Sequence, residues 1–214
     1  MDKLNSLNIK DIFAKIKDIM AENKNWLFKL DSAMGDGDLG VTMDNGFNEI
    51  YRVISTLNEE KVGKIIMQAG VTLADTAPST IGTLVATGFI RAGKIVEDKT
   101  EINLSNLVIM MASFVEEIRR RGGKTELGDK TIVDSLYPAY LALKSASEEK
   151  KDLGEAFKDA YQSAKQGVED TKKMVAKHGR AAWYGEKSIG KEDPGAVAGM
   201  LIVKAFYEYL KEKY

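Results

Sequence analysis

The chain has 214 residues, 44% of them apolar and 29% charged, with 31 basic residues against 32 acidic ones and a formal net charge of −1. That length suits one domain, read here as spanning residues 1–214, and the near-balance of charge argues against a nucleic-acid binder, which would carry a basic excess or stripe. There are no cysteines and one histidine, His178. Disulfides, thiolate metal sites and cysteine nucleophiles are therefore excluded, and any bound metal must take oxygen ligands, which points to a hard cation such as Mg²⁺.

The first residues, Met1 to Ile16, mix acids and lysines with apolar residues, and no stretch approaches the roughly 20 apolar residues needed to span a bilayer. No signal peptide and no membrane association are expected, and the predicted location is the cytoplasm. Helical periodicity begins at once. Ile12, Phe13, Ile16, Ile19 and Met20 fall on one helix face, and Met43, Phe47, Ile50, Tyr51, Ile54 and Leu57 repeat the pattern. Segments near 60–74 and 80–96 also read as helical. Leu104, Leu107, Val108, Met111, Val115 and Ile118 form the cleanest stripe. Ile132, Leu136, Tyr140 and Leu143 follow, then a helical segment near 153–176, and last Ala198, Leu201, Ile202, Ala205 and Tyr209. No segment alternates between turn signals, so no strand is required. Pro78 and Pro194 suit helix starts, and Pro138 predicts a kink or a later start to its helix. The total is about eight helices in an all-α domain.

Four glycine-rich breaks carry the chemistry. In Leu30-Asp31-Ser32-Ala33-Met34-Gly35-Asp36-Gly37-Asp38-Leu39-Gly40, three carboxylates within eight residues repel one another unless a cation neutralises them. The following helix, expected to start near Val41 or Thr42, would offer free amides to a phosphate. A solvated acidic turn capped by Asp38 is the plain alternative, and an EF-hand is disfavoured because its twelfth position is Thr42. The second break, Asp75 to Thr83, has Ser79 as either a phosphate contact or a helix cap. The third, Arg121 to Thr131, ends a helix at Gly122-Gly123 and offers Asp129 as the next cap. It resembles a Walker A loop superficially, but Gly128-Asp129-Lys130-Thr131 breaks the order and no strand precedes it. The fourth, Gly179 to Gly195, is a long loop without apolar period, in which Arg180 could reach phosphate, Trp183 and Tyr184 could cover a ligand, and Asp193 would cap the last helix.

Taken together in order and spacing, these loops resemble the L subunit of the dihydroxyacetone kinase family. Asp31-x4-Asp36-x-Asp38-x-Gly40 is similar to its metal loop. Gly122-Gly123 with Gly128-Asp129-Lys130-Thr131-x2-Asp134 is similar to its middle signature, and Gly179-Arg180-Ala181 through Asp193-Pro194-Gly195-Ala196 to its last. The resemblance implies a barrel of eight antiparallel helices with ADP or ATP at one end. It implies two Mg²⁺ on Asp31, Asp36 and Asp38, and Gly40, Val41, Thr42, Ser79 and Thr80 beside the phosphates. Gly123 and Ile132 would line the adenine or ribose, with Arg180, Asp193 and Gly195 closing the site. Asp31, Asp36, Asp38 and Arg180 would serve catalysis. The ketose would sit on a separate K subunit, and in one branch a phosphotransferase-system protein supplies the phosphoryl group. His178 receives no role. Leu39 stands where the family usually has histidine, and Pro78-Ser79-Thr80-Ile81-Gly82-Thr83 replaces its usual Gly-x-Ser-Gly pattern. Those departures keep a non-catalytic nucleotide-binding regulator open as an alternative, with a fatty-acid kinase relative as a third.

Overall fold

In the computed structural model, residues 2–213 are described. Eight α-helices account for most of them: α1 (Ser6–Ser32), α2 (Leu39–Ser55), α3 (Val62–Thr76), α4 (Thr80–Ile95), α5 (Leu104–Arg121), α6 (Val133–Glu148), α7 (Leu153–Thr171) and α8 (Pro194–Glu212). Each apolar stripe of the sequence becomes a buried face. In α1, Ile9, Ile12, Phe13, Ile16, Ile19, Met20 and Leu27 point inward, and in α8 the inward set runs from Gly195 to Leu210. Each helix packs on the next, and α8 returns to α1, so the eight close into a barrel. Phe89 of α4 sits among Phe13, Phe47 and Phe114, with ring centroids 5.3, 6.3 and 5.1 Å away, and so ties four helices together.

Two short strands were not expected. β1 (Lys3–Asn5) pairs antiparallel with β2 (Glu101–Asn103), Leu4 opposite Ile102, both fully buried. Three residues are too few to display an alternating pattern. Each strand ends in an asparagine that begins a helix through a reciprocal cap, Asn5 with Asn8 and Asn103 with Asn106.

Other boundaries also differ from the sequence reading. α2 starts at Leu39, ahead of Val41, and Asp38 at its N-cap makes no capping bond with its side chain. Asp129 does not cap α6. The cap position is Ile132, and the carboxylate that organises the turn is Asp134, which accepts from the amides of Gly128 (2.6 Å) and Thr131 (2.7 Å). α6 also continues through Pro138. A proline there leaves the carbonyl of Asp134 without its helical donor. Gly167 of α7 packs against that carbonyl so closely that a Cβ would lie 2.0 Å from the oxygen. The fourth loop contains a 3₁₀ segment, Arg180–Ser188, of which only Ser188 is buried. Ser79 and Asp193 do cap their helices, accepting from Gly82 (3.0 Å) and Ala196 (2.7 Å), and Pro194 takes the first position of α8.

Successive helices of such a barrel run in opposite senses, so alternate loops gather at the same end. The α1–α2, α3–α4, α5–α6 and α7–α8 connections share one rim. These are the four glycine-rich breaks.

Candidate functional site

That shared rim encloses a cleft of about 480 Å³, lined from all four loops. Asp31, Asp36 and Asp38 form one wall, and each offers a carboxylate oxygen within 4.8 Å of the others. Asp31 stands on the last turn of α1 and accepts from the Leu39 amide at 3.2 Å, which fixes it across the loop. Burial, and then the charges of Asp36 and Asp31, push the Asp38 carboxyl above its usual range, against the pull of Arg180. Arg180 Nη2 meets Asp36 Oδ2 at 2.7 Å and is the one cation bonded to the cluster among the described residues. Three acids against one arginine leave the group short of positive charge, and an oxygen-only donor set fits a hard divalent ion.

Most of the residues selected from the sequence line the cleft: Asp31, Asp36, Asp38, Ser79, Thr80, Ile132, Arg180, Asp193 and Gly195. Gly40, Val41, Thr42 and Gly123 do not. The Cα of Gly40 faces α1, where a Cβ would come within 2.2 Å of the Lys24 carbonyl oxygen, so glycine is there for helix contact. Val41 is exposed, and the Thr42 amide is spent on the Asp38 carbonyl at 2.9 Å. The amides of Gly40 and Val41 remain in the first turn, where no intrahelical acceptor exists. Gly123 is exposed in the third loop, with φ of +83°.

The structure adds residues that the sequence reading left out. Lys130 is only 2% exposed, and its ammonium donates to the carbonyls of Thr171 (2.6 Å) and Lys191 (2.5 Å), joining the third loop to the end of α7 and to the fourth loop. This lysine is therefore a strut for the loops and not a Walker-type phosphate ligand. Beside it, burial pushes the Asp193 carboxyl up to about 7, although the Ala196 amide pulls the other way. Asp129, which the sequence suggests as a helix cap, is instead a clamp. It accepts from the Glu126 amide (2.8 Å), Lys177 Nζ (2.7 Å) and His178 Nε2 (3.1 Å). Burial works to raise its carboxyl, but those donors outweigh it and bring it down to about 2. A lysine or aspartate in a glycine-rich stretch reads as solvated, so only the convergence of distant loops exposes these roles.

An all-helical barrel with an oxygen-donor acid cluster and four helix starts around a single cleft defines a protein suited to holding a metal-bound anion. Residues 33–208 match the DAK2 domain, and the chain belongs to that family. It is 30% identical over 209 residues to the ADP-binding subunit DhaL of the PEP-dependent dihydroxyacetone kinase of Escherichia coli strain K12, covering 98% of this chain and 99% of that protein. It is 31% identical over 205 residues to the L-erythrulose 1-kinase of Mycolicibacterium smegmatis, covering 95% of this chain and 35% of that longer protein. The dihydroxyacetone kinase of C. freundii, solved in complex with AMP-PNP and Mg²⁺, superposes with a TM-score of 0.71 at 24% identity. The match takes in 97% of this chain and 34% of that one, which bears on the fold alone. No helix among the described residues is long and apolar enough to cross a membrane.

Proposed function

We propose that this chain, as one domain over residues 1–214, is the nucleotide-holding subunit of a cytoplasmic kinase for a short ketose. ADP or ATP would occupy the cleft, and the ketose would be bound by a separate K subunit. The observation that carries this reading is the convergence of Asp31, Asp36 and Asp38 beside the starts of α2, α4, α6 and α8. Near-full-length similarity to a protein named an ADP-binding subunit supports it, as does a relative named for erythrulose.

Two Mg²⁺ held by Asp31, Asp36 and Asp38 would supply charge neutralisation to the phosphate chain. The remaining work falls to the chain's own groups. The Gly40 and Val41 amides of α2 and the Ser79 and Thr80 hydroxyls would hold the phosphate oxygens. Arg180, exposed over 69% of its side chain, is free to leave Asp36 and follow negative charge as it shifts during transfer. Ile132, Asp193 and Gly195, with the edge at Gly123, bound the nucleoside. The phosphoryl group would come from phosphoenolpyruvate through a phosphotransferase-system protein, with the nucleotide staying in place. Retained ADP after purification, read by mass spectrometry, supports that source, and rapid exchange with free ATP refutes it.

Asp36→Ala tests the site itself. The side chain is 39% exposed and makes no bond to the core, so helicity should be unchanged while magnesium-dependent nucleotide affinity is lost. Unchanged affinity by calorimetry in that variant would overturn the assignment. One observation favours a second reading, a nucleotide-binding regulator. Leu39, in the histidine position, is buried against the cleft and brings no donor. Single-turnover transfer to dihydroxyacetone in the presence of a K subunit separates the two, since a regulator binds nucleotide and transfers nothing.

A further inference from the structure

The third loop presents a feature that phosphate binding does not use. Among the described residues, Thr125 Oγ1 is the buried side-chain polar atom that lacks a hydrogen-bond partner. Thr125 is 4% exposed and lines the cleft, and its carbonyl is anchored by Arg119 Nε at 3.2 Å, so the residue is held in place while its hydroxyl is unmatched. A buried hydroxyl left without a partner is costly, so a group kept in that state is one for which a ligand supplies the partner.

His178 lies at the same part of the cleft. The two face the Gly122–Gly123 pair. Thr125 Oγ1 is 3.3 Å from where a Cβ on Gly122 would lie, and His178 Nδ1 is 4.0 Å from the corresponding point on Gly123. A side chain at Gly122 would press on the Thr125 hydroxyl, and a Cβ at Gly123 would lie in ordinary contact with the imidazole. The clamp on Asp129 also fixes the imidazole. An ionised carboxylate only accepts, so His178 Nε2 must carry the hydrogen that it donates to Asp129 Oδ2 at 3.1 Å. In the neutral ring Nδ1 is then left as an acceptor.

We propose that the Thr125 hydroxyl and His178 Nδ1 read the nucleobase in this cleft and select adenine over 6-oxopurines. The proposal rests on the reading of the cleft as a nucleotide site and assigns to it a base specificity. Adenine carries an exocyclic amino group, a donor, beside ring nitrogens that accept. The amino group donates to Nδ1 while the Thr125 hydroxyl donates to a ring nitrogen, which satisfies the orphan. Hypoxanthine and guanine place a carbonyl oxygen where adenine has its amino group. Two acceptors then face each other across the Asp129-fixed imidazole, and the pairing is lost. A site built on a buried hydrogen bond rejects an analogue that cannot complete it far more strongly than a merely apolar pocket does.

Calorimetric titration of the full chain with Mg²⁺ and ADP, inosine diphosphate or 2′-deoxy-ADP tests this. The wild type should bind ADP about tenfold or more tightly than inosine diphosphate. Thr125→Val and His178→Phe should each lower ADP affinity by about tenfold while changing inosine diphosphate affinity by less than about twofold. Thr125→Ser, which keeps the hydroxyl, should restore ADP binding. Thr125→Val removes an unmatched polar atom without changing shape, so the ligand-free protein should be at least as stable as the wild type, which separates lost contact from lost fold. Equal affinity for ADP and inosine diphosphate in the wild type overturns the base-reading assignment and leaves the nucleotide site standing. So does an equal loss for both in the variants. A Thr125→Val loss seen with ADP and absent with 2′-deoxy-ADP overturns it too, by giving the hydroxyl to the ribose. If the wild type binds none of the three, the nucleotide site itself falls.

Discussion

Lys130→Met should destabilise the protein by about 2–4 kcal/mol. The ammonium is 2% exposed and makes two short bonds to backbone carbonyls, at 2.6 Å to Thr171 and 2.5 Å to Lys191. Hydrogen bonds to a charged group contribute about 1.5–3 kcal/mol each, so the gross loss is about 3–6 kcal/mol. Methionine recovers part of this because it matches the lysine in length and avoids burying a charge, a cost that shows in the ammonium's tendency to release its proton more readily than usual. The offset is incomplete, because methionine leaves the two carbonyls without a donor and removes the positive charge next to Asp134 and Asp193. For a chain of this size the expected shift corresponds to a fall in Tm of about 5–15 °C. Urea unfolding followed by circular dichroism measures it, with the midpoint moving and the slope unchanged. A variant as stable as the wild type, or more so, would refute the reasoning. It would mean that both carbonyls can reach water and that the fourth loop does not depend on this strut.

Arg180→Ala should change stability by under about 0.5 kcal/mol, since it removes one exposed ion pair, while lowering the transfer rate by roughly 10²-fold with a smaller loss of nucleotide affinity. Equal losses in kcat and affinity would make it a simple anchor. Gly167→Ala should cost about 1–3 kcal/mol despite the better helix propensity of alanine, because its Cβ would lie 2.0 Å from the Asp134 carbonyl oxygen and must push α7 off α6. A Tm equal to or above that of the wild type would refute this close packing. Asp129 makes a pH-dependent contribution. Its folded carboxyl lies at about 2, below the unfolded value of 3.8, so its stabilisation is present above about pH 4 and is lost as pH falls towards 2. The difference amounts to about 2 kcal/mol. Asp129→Asn should reduce stability at neutral pH by roughly that amount and flatten the acid limb between pH 4 and 2, measured by denaturant titration at each pH, and an unaltered acid limb would refute it.

How far the sequence can be read follows from the range of the interactions. The stripes through Ile12 to Met20 and Leu104 to Ile118 are local, and they gave the helices to within a few residues. The glycine-rich breaks are local too, and Ser79, Pro194 and Asp193 act at their helix starts as their residue types suggest. The misplaced features all depend on partners far along the chain. Leu4 is buried only because Ile102 lies opposite, 98 residues on. Asp129 is drawn away from helix capping by Lys177 and His178, and Lys130 is buried because the Thr171 and Lys191 carbonyls accept its hydrogen bonds. Gly40 reads as a phosphate-loop glycine, yet the backbone of α1 claims it. The Asp134 carbonyl that Pro138 leaves without a helical donor meets Gly167, 33 residues on in another helix. For the acid cluster, proximity in sequence brought the three carboxylates under suspicion, but only the fold brings Arg180 to Asp36, 144 positions away.

The alternation of rims has a practical corollary for anyone altering this molecule. The connections at 56–61, 96–103 and 149–152 emerge at the end remote from the acids, and Lys150 there already adopts φ of +58°, a conformation that glycine takes without strain. Added residues, a fluorophore or an epitope inserted beside Lys150 would hang from the floor of the barrel while the working mouth stays clear. The connection at 96–103 is a poorer choice, because it carries the strand that clasps the start of the chain.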